Sequence, residues 1–121
     1  MHELPVTRAL LQTVLDAARA AEARRVVGVH VVVGTLTGIV SDSVQFYFDL
    51  LSQGTPAEGA RLYFHREPAQ GRCLQCGHTF DVDPPVEPRC PTCGGNQLRV
   101  SGGTNVYVRS IEVEHEGGNS G

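Results

Sequence analysis

Two groups of residues in this chain could do chemistry. One is Met1-His2-Glu3, and the other is Cys73-x2-Cys76 followed, thirteen residues later, by Cys90-x2-Cys93. Read as the chain's start, the tripeptide places a terminal amine beside an imidazole. Met1 precedes a bulky side chain, so it is expected to be retained. The backbone amides of His2 and Glu3 lie between or next to these groups. An N-terminal amine titrates near ~8 and a histidine near ~6.5, so both can shed protons around neutral pH. A nitrogen-rich cluster of this kind suits Ni(II) or Cu(II), which accept planar or tetragonal nitrogen sites. The alternative is an ordinary frayed terminus.

The cysteine spacing carries a stronger signal. Two C-x2-C pairs separated by a short loop form the zinc-ribbon pattern. Gly77 and Gly94 follow the pairs, where a left-handed residue closes each knuckle around its sulfur. Four thiolates make a closed tetrahedral site with no open position, so the metal there is structural rather than catalytic. Iron can occupy the same ligand set. His78 could bond to or replace a ligand but is expected at the surface.

The surrounding elements must position these groups. Pro5 favours a helix start and pushes Leu4 away from helical dihedrals, so a helix is expected over 5–23 with residues 1–4 outside it. Leu11, Val14, Leu15, Ala18 and Ala21 form its apolar stripe. Residues 26–34 read as a strand, with Val27, Val29, Val31 and Val33 alternating to one side. His30 falls on the other side and is expected to face solvent. A turn at 35–43 leads to a second helix, which Ser41 or Ser43 could cap. Val44, Tyr47, Phe48 and Leu51 line that helix, widened by Phe46 and Leu50, and Gly54 and Pro56 end it. Residues 60–67 read as a strand with Leu62 and Phe64 inward and Tyr63, His65 and Glu67 outward. Residues 105–115 read as another, with a slip in alternation between Val108 and Ile111 that suggests a bulge.

The expected fold is therefore α+β. It has a small three-stranded sheet with two helices on one face, plus an inserted zinc-ribbon module. Residues 1–68 and 105–115 form the α/β domain, 69–104 the zinc-binding domain and 116–121 a disordered tail. At 121 residues the chain supports one domain or one with a small insert. No apolar run nears the ~18 residues that span a membrane, and no signal-peptide pattern opens the chain, so a cytoplasmic location is expected. Four cysteines in a reducing compartment read as metal ligands rather than disulfides.

A zinc ribbon can bind nucleic acid. The net charge of −3, and the presence of only Arg72, Arg89 and Arg99 as basic residues in 69–104, argue against it. A rubredoxin-like electron carrier is the other reading of four cysteines. Neither accounts for Met1-His2-Glu3.

Taken in order, Met1-His2-Glu3, the four cysteines and Ser110-Ile111-Glu112-Val113-Glu114 resemble the HypA/HybF family of hydrogenase nickel-insertion proteins. Gly34, Phe48, Gly54-Thr55 and Glu58-Gly59-Ala60 add to the similarity, which spans roughly residues 1–115. The resemblance implies a nickel metallochaperone without catalytic turnover. It would pass Ni(II) to the large subunit precursor of a [NiFe]-hydrogenase and work with an accessory nickel-insertion GTPase. Nickel would be held by Met1, His2 and Glu3, and structural Zn(II) by Cys73, Cys76, Cys90 and Cys93. Some members carry a carboxylate ligand in the loop after the first strand. The corresponding place here is Val40, with Asp42 two residues on. The His2 imidazole cannot lie trans to the amide of its own residue, so the tripeptide does not close a square plane. Water, Asp42, Glu3 or a partner's group is expected to complete the site. No membrane or nucleic-acid partner is expected. A homodimer and service to urease are left open.

Overall fold

The computed structural model describes residues 3–115. Met1, His2 and the tail 116–121 lie outside the described residues. Helix α1 runs Glu3–Ala20, β1 Arg25–Gly34, α2 Ser41–Leu51 and β2 Arg61–Glu67. Three short strands follow, β3 Ala69–Cys73, β4 Thr79–Val82 and β5 Leu98–Ser101, and β6 Val106–Glu114 closes the order.

The strands make two sheets of three. In the first, β1 is central, parallel to β2 and antiparallel to β6. Its inner face carries Val29, Val31, Val33 and Leu62, which pack with Leu10, Leu11, Val14 and Ala18 of α1 and Val44 and Phe48 of α2. Both helices thus seal one face, as the apolar patterning predicts. The irregularity expected between Val108 and Ile111 is real. His30 pairs with Ser110 and Val31 with Val108, which leaves Arg109 as the extra residue of a bulge. The second sheet has the order β4-β3-β5 and carries the cysteine knuckles at its ends.

Five expectations need correction. Val27, expected on the inner face with Val29, is only half-buried and lies outside the core, while Val26 is fully buried, because the register of β1 against β6 shifts between Val26 and Gly28. Helix α1 takes in Glu3 and Leu4 rather than starting at Pro5. First-turn amides have no carbonyl four residues back, so a proline there costs no helical hydrogen bond. Two contacts of Glu3 offset the local penalty on Leu4. The Glu3 carbonyl accepts the Thr7 hydroxyl at 2.6 Å, and its carboxylate accepts the Val40 N–H at 3.0 Å. The same helix stops at Ala20 because Glu22 turns left-handed, at φ 52°, and the Ala23 N–H returns to the Ala18 carbonyl. Neither Ser41 nor Ser43 caps α2 through its hydroxyl, since Val40 occupies the cap position and has no side chain that could cap the first turn. Phe46 and Leu50 are 59% and 49% exposed, because each is two residues, more than half a turn, from buried Phe48.

The two sheets meet at Gly34. Its N–H donates to the Asn105 carbonyl, and the Leu36 N–H donates to the Gly103 carbonyl. The Thr35 hydroxyl reaches the Val82 carbonyl at 3.2 Å. A Cβ at Gly34 would lie 2.3 Å from the Gly103 backbone, so this approach requires glycine.

Candidate metal centre

Cys73 ends β3, and Cys76 follows in the turn before β4. The Cys73 N–H donates to the His78 carbonyl, and the Gly77 N–H returns to the Cys73 carbonyl at 2.9 Å. The second knuckle repeats this arrangement. The Cys90 N–H donates to the Gly95 carbonyl, and the Gly94 N–H to the Cys90 carbonyl. Gly77 and Gly94 have φ of 80° and 75°, the left-handed turn that their place after each pair predicts. The Leu74 N–H donates to the Gln97 carbonyl and ties the first knuckle to the chain leading into β5.

These turns bring four sulfurs together. All four Sγ atoms lie within 4.8 Å of one another. Cys73 and Cys93 are 3.6 Å apart, as are Cys76 and Cys90. A tetrahedral ion with bonds of ~2.3 Å sets its sulfur ligands about 3.8 Å apart, so the cluster fits such an ion. Backbone N–H groups turn towards the sulfurs. Those of Gln75 and Cys76 lie 3.4 Å from the Cys73 sulfur, and that of Gly95 lies 3.4 Å from Cys93. Thr92 and Cys93 do the same for Cys90.

The thiols do not ionise alike. The N–H of Cys76, then that of Gln75, hold the Cys73 pKa down at about 6 against the effect of burial. Cys90 is lowered by the N–H groups of Cys93 and Thr92. The His78 N–H favours the Cys76 thiolate, but burial and the neighbouring sulfurs outweigh it and raise Cys76 to about 12. Cys93 is raised too. The Gly95 N–H favours its thiolate, and the neighbouring Cys73 sulfur opposes it. A divalent ion held by Cys73, Cys76, Cys90 and Cys93 would remove this conflict by taking all four as thiolates. His78 is exposed and stacks on Phe80 with ring centres 5.7 Å apart. It stays at the surface, as expected.

Of the chain-start residues, Glu3 alone is described. Its bond to the Val40 N–H holds the beginning of α1 against the loop that opens α2. Asp42 sits in the first, exposed turn of that helix. The structure therefore brings residue 3 to the segment 40–42 from 37 residues away. No local pattern shows that contact, though the resemblance puts the loop that carries a carboxylate in some family members at Val40, with Asp42 two residues on.

A second polar cluster was also missed. His30 does not simply face solvent. It is half-buried, with Nδ1 2.9 Å from His65 Nε2 and Nε2 2.8 Å from the Glu112 carboxylate. The outward alternation of Tyr63, His65 and Glu67 was the one available signal. It became meaningful only once parallel pairing set His30 beside Tyr63 and Val32 beside His65.

Among the described residues, no helix is long and apolar enough to cross a membrane. A family profile described as "Hydrogenase/urease nickel incorporation, metallochaperone, hypA" matches residues 1–113. The hydrogenase maturation factor HypA of Dehalococcoides mccartyi strain 195 is 44% identical over 116 residues, covering 96% of this chain and 97% of the relative. The protein of the same name from Caldanaerobacter subterraneus subsp. tengcongensis is 44% identical over 115 residues and is matched over its full length. The solution structure of the Ni metallochaperone HypA from Helicobacter pylori superposes with a TM-score of 0.65 at 20% identity, covering 96% of this chain and 100% of that one. That likeness concerns the fold. The profile and the relatives concern descent, and by both measures the chain belongs to the HypA family of hydrogenase and urease nickel-incorporation metallochaperones.

Proposed function

We propose that this chain carries Ni(II) to the large subunit precursor of a [NiFe]-hydrogenase and catalyses no reaction itself. The observation that carries this reading is the profile match beginning at residue 1, since it includes Met1-His2-Glu3. Nickel is held by the Met1 amine, the His2 amide and imidazole, and the Glu3 amide. Nickel is the cargo, so an incomplete set of protein ligands serves the role. An open position lets the acceptor's ligand enter before the donor's leave. The Glu3–Val40 bond supports the proposal because it holds Glu3 to the segment that carries Asp42 two residues on. An accessory GTPase is the working partner.

We assign residues 1–68 and 105–115 to the nickel-binding unit and 69–104 to a zinc-binding unit. Cys73, Cys76, Cys90 and Cys93 hold zinc, which serves as a closed structural ion and supplies the folding energy that so small a module lacks. The chain's own part is to present thiolates on two rigid knuckles and to solvate them with backbone N–H groups.

The test is metal analysis after exposure to equimolar nickel. Wild type is expected to hold one nickel and one zinc, and His2→Ala only the zinc. A chain extended by Gly-Ala before Met1 keeps His2 but moves the amine away. It is expected to lose tight nickel as well. Nickel retained by His2→Ala at this ratio would overturn the proposal.

A further inference from the structure

The face of the first sheet turned away from the helices carries a chain of hydrogen bonds that the nickel-carrier reading does not use. The Glu112 carboxylate on β6 can only accept, so the 2.8 Å contact places a proton on His30 Nε2. His30 Nδ1 then presents a lone pair, and His65 Nε2 on β2 meets it at 2.9 Å. The two ring centres are 5.2 Å apart at 24°, so the facing nitrogens point nearly straight at each other and share one proton. Tyr63 stacks on His30 from the side, 5.0 Å away at 19°, and steadies the ring. Arg61 lies over Tyr63, and Arg109 acts on His65 from the bulge of β6.

A carboxylate on one nitrogen of a histidine, with the other nitrogen left bare, is how proteins prepare an imidazole for a metal. Here a second imidazole nitrogen faces the bare one. That 2.9 Å separation is the hydrogen bond's own, so the choice of ion rests on the donors, and imidazole nitrogens hold Ni(II) and Cu(II) more tightly than the earlier divalent ions of the row.

We propose that His30 Nδ1 and His65 Nε2 form a second binding site, for Ni(II) or Cu(II), in which Glu112 holds His30 in the metal-binding tautomer. Entry of the ion needs no redox change. The His65 Nε2–H proton passes through water to Nδ1 of the same ring. Two metal–nitrogen bonds form, and the ion sheds two of its waters. His65 lies on an edge strand and turns so that both lone pairs meet beside the line joining them, while Glu112 and Tyr63 keep His30 in place. The remaining coordination positions are left to water. This inference does not depend on the chain-start site.

The test uses zinc-loaded, full-length His2→Ala, so that the chain-start site is already disabled. Excess nickel chloride is titrated in while the histidine ring signals are followed by NMR, with His78 and His115 as internal controls. Paramagnetic broadening is expected at His30 and His65 well before the controls. Adding His65→Gln should preserve the His30 signal at the same nickel concentration. Adding Glu112→Gln should weaken the apparent affinity about tenfold or more. Broadening at His30 and His65 no earlier than at His78 and His115 would overturn the site, and so would broadening of His30 that His65→Gln leaves unchanged. Tight nickel binding by His2→Ala at an equimolar ratio is a different result. It would count against the chain-start carrier and not against this site.

Discussion

The Glu3 carboxylate accepts the Val40 backbone N–H at 3.0 Å and so joins the first turn of α1 to the cap of α2. Under the proposed function, this bond limits where the chain-start nitrogens can go. Glu3→Ala removes the acceptor but leaves the backbone amide that would bind nickel. Nickel affinity is expected to fall about tenfold or more, the loss typical when a group that orients a metal ligand is deleted. Glu3→Gln keeps an acceptor oxygen and should fall less. Competition against a coloured chelator measures both, and zinc content should be unchanged in each. Equal affinity in Glu3→Ala and wild type would show that the bond positions nothing.

Metal removal should act on one sheet and spare the other. The main core, from Leu10 through Val14, Val29, Val31, Phe48 and Leu62, contains no residue of 69–104. The β4-β3-β5 sheet has strands of four or five residues and depends on the thiolate cluster for its shape. A strong chelator is expected to abolish amide protection at Gln70, Arg72 and Phe80. Protection at Val29, Val31 and Leu62 should stay near its original level. Hydrogen exchange reads both regions in one experiment. Loss of protection in β1 to the same degree as in β3 would show that the two sheets fold as one unit.

These outcomes bear on what the chain discloses before it folds. The valine alternation of β1 from Val29 to Val33 and the C-x2-C pairs were legible because each is a local pattern with one physical solution, whereas Val27 was misplaced because the register shift beside it depends on β6. The bulge at Arg109 was legible for the same reason, as an alternation that slips. Three features were not. The start of α1 at Glu3 depends on a hydrogen bond to residue 40, so local proline chemistry pointed the wrong way. The short strands β3, β4 and β5 do alternate, as in Phe80 and Val82 or Leu98 and Val100, but runs of four or five residues inside a stretch rich in Gly, Pro and Cys are too short to stand out. His30 pairs with residues 35 and 82 positions away, so its setting follows from sheet register and not from its neighbours in sequence.

The junction at Gly34 can be probed with one methyl group. A Cβ there would come within 2.3 Å of the Gly103 carbonyl and 2.8 Å of the Thr104 nitrogen, both backbone atoms with no rotamer to yield. Gly34→Ala is expected to destabilise the protein by about 1–3 kcal/mol, the usual range for overpacking. The melting temperature should drop by several degrees. Gly38→Ala is the comparison. It has open space around it but φ of 72°, so its cost is conformational alone. That cost is expected to be the smaller of the two. A Gly34→Ala protein as stable as wild type would mean that the 102–104 turn moves aside freely.

Zinc binding to the chelator-treated chain should release close to four protons at pH 7.5. The N–H groups of Cys76 and Gln75 that lower Cys73 turn towards its sulfur only while the first knuckle is folded. Without the ion that knuckle opens, so the thiols start near the free value of ~8.5 and each must give up its proton. Apparent affinity therefore weakens as the solution becomes more acid. Calorimetry in buffers of different ionisation enthalpy counts the protons directly. Release of clearly fewer than four would show that the first knuckle keeps its shape, and the lowered Cys73 pKa, without the ion.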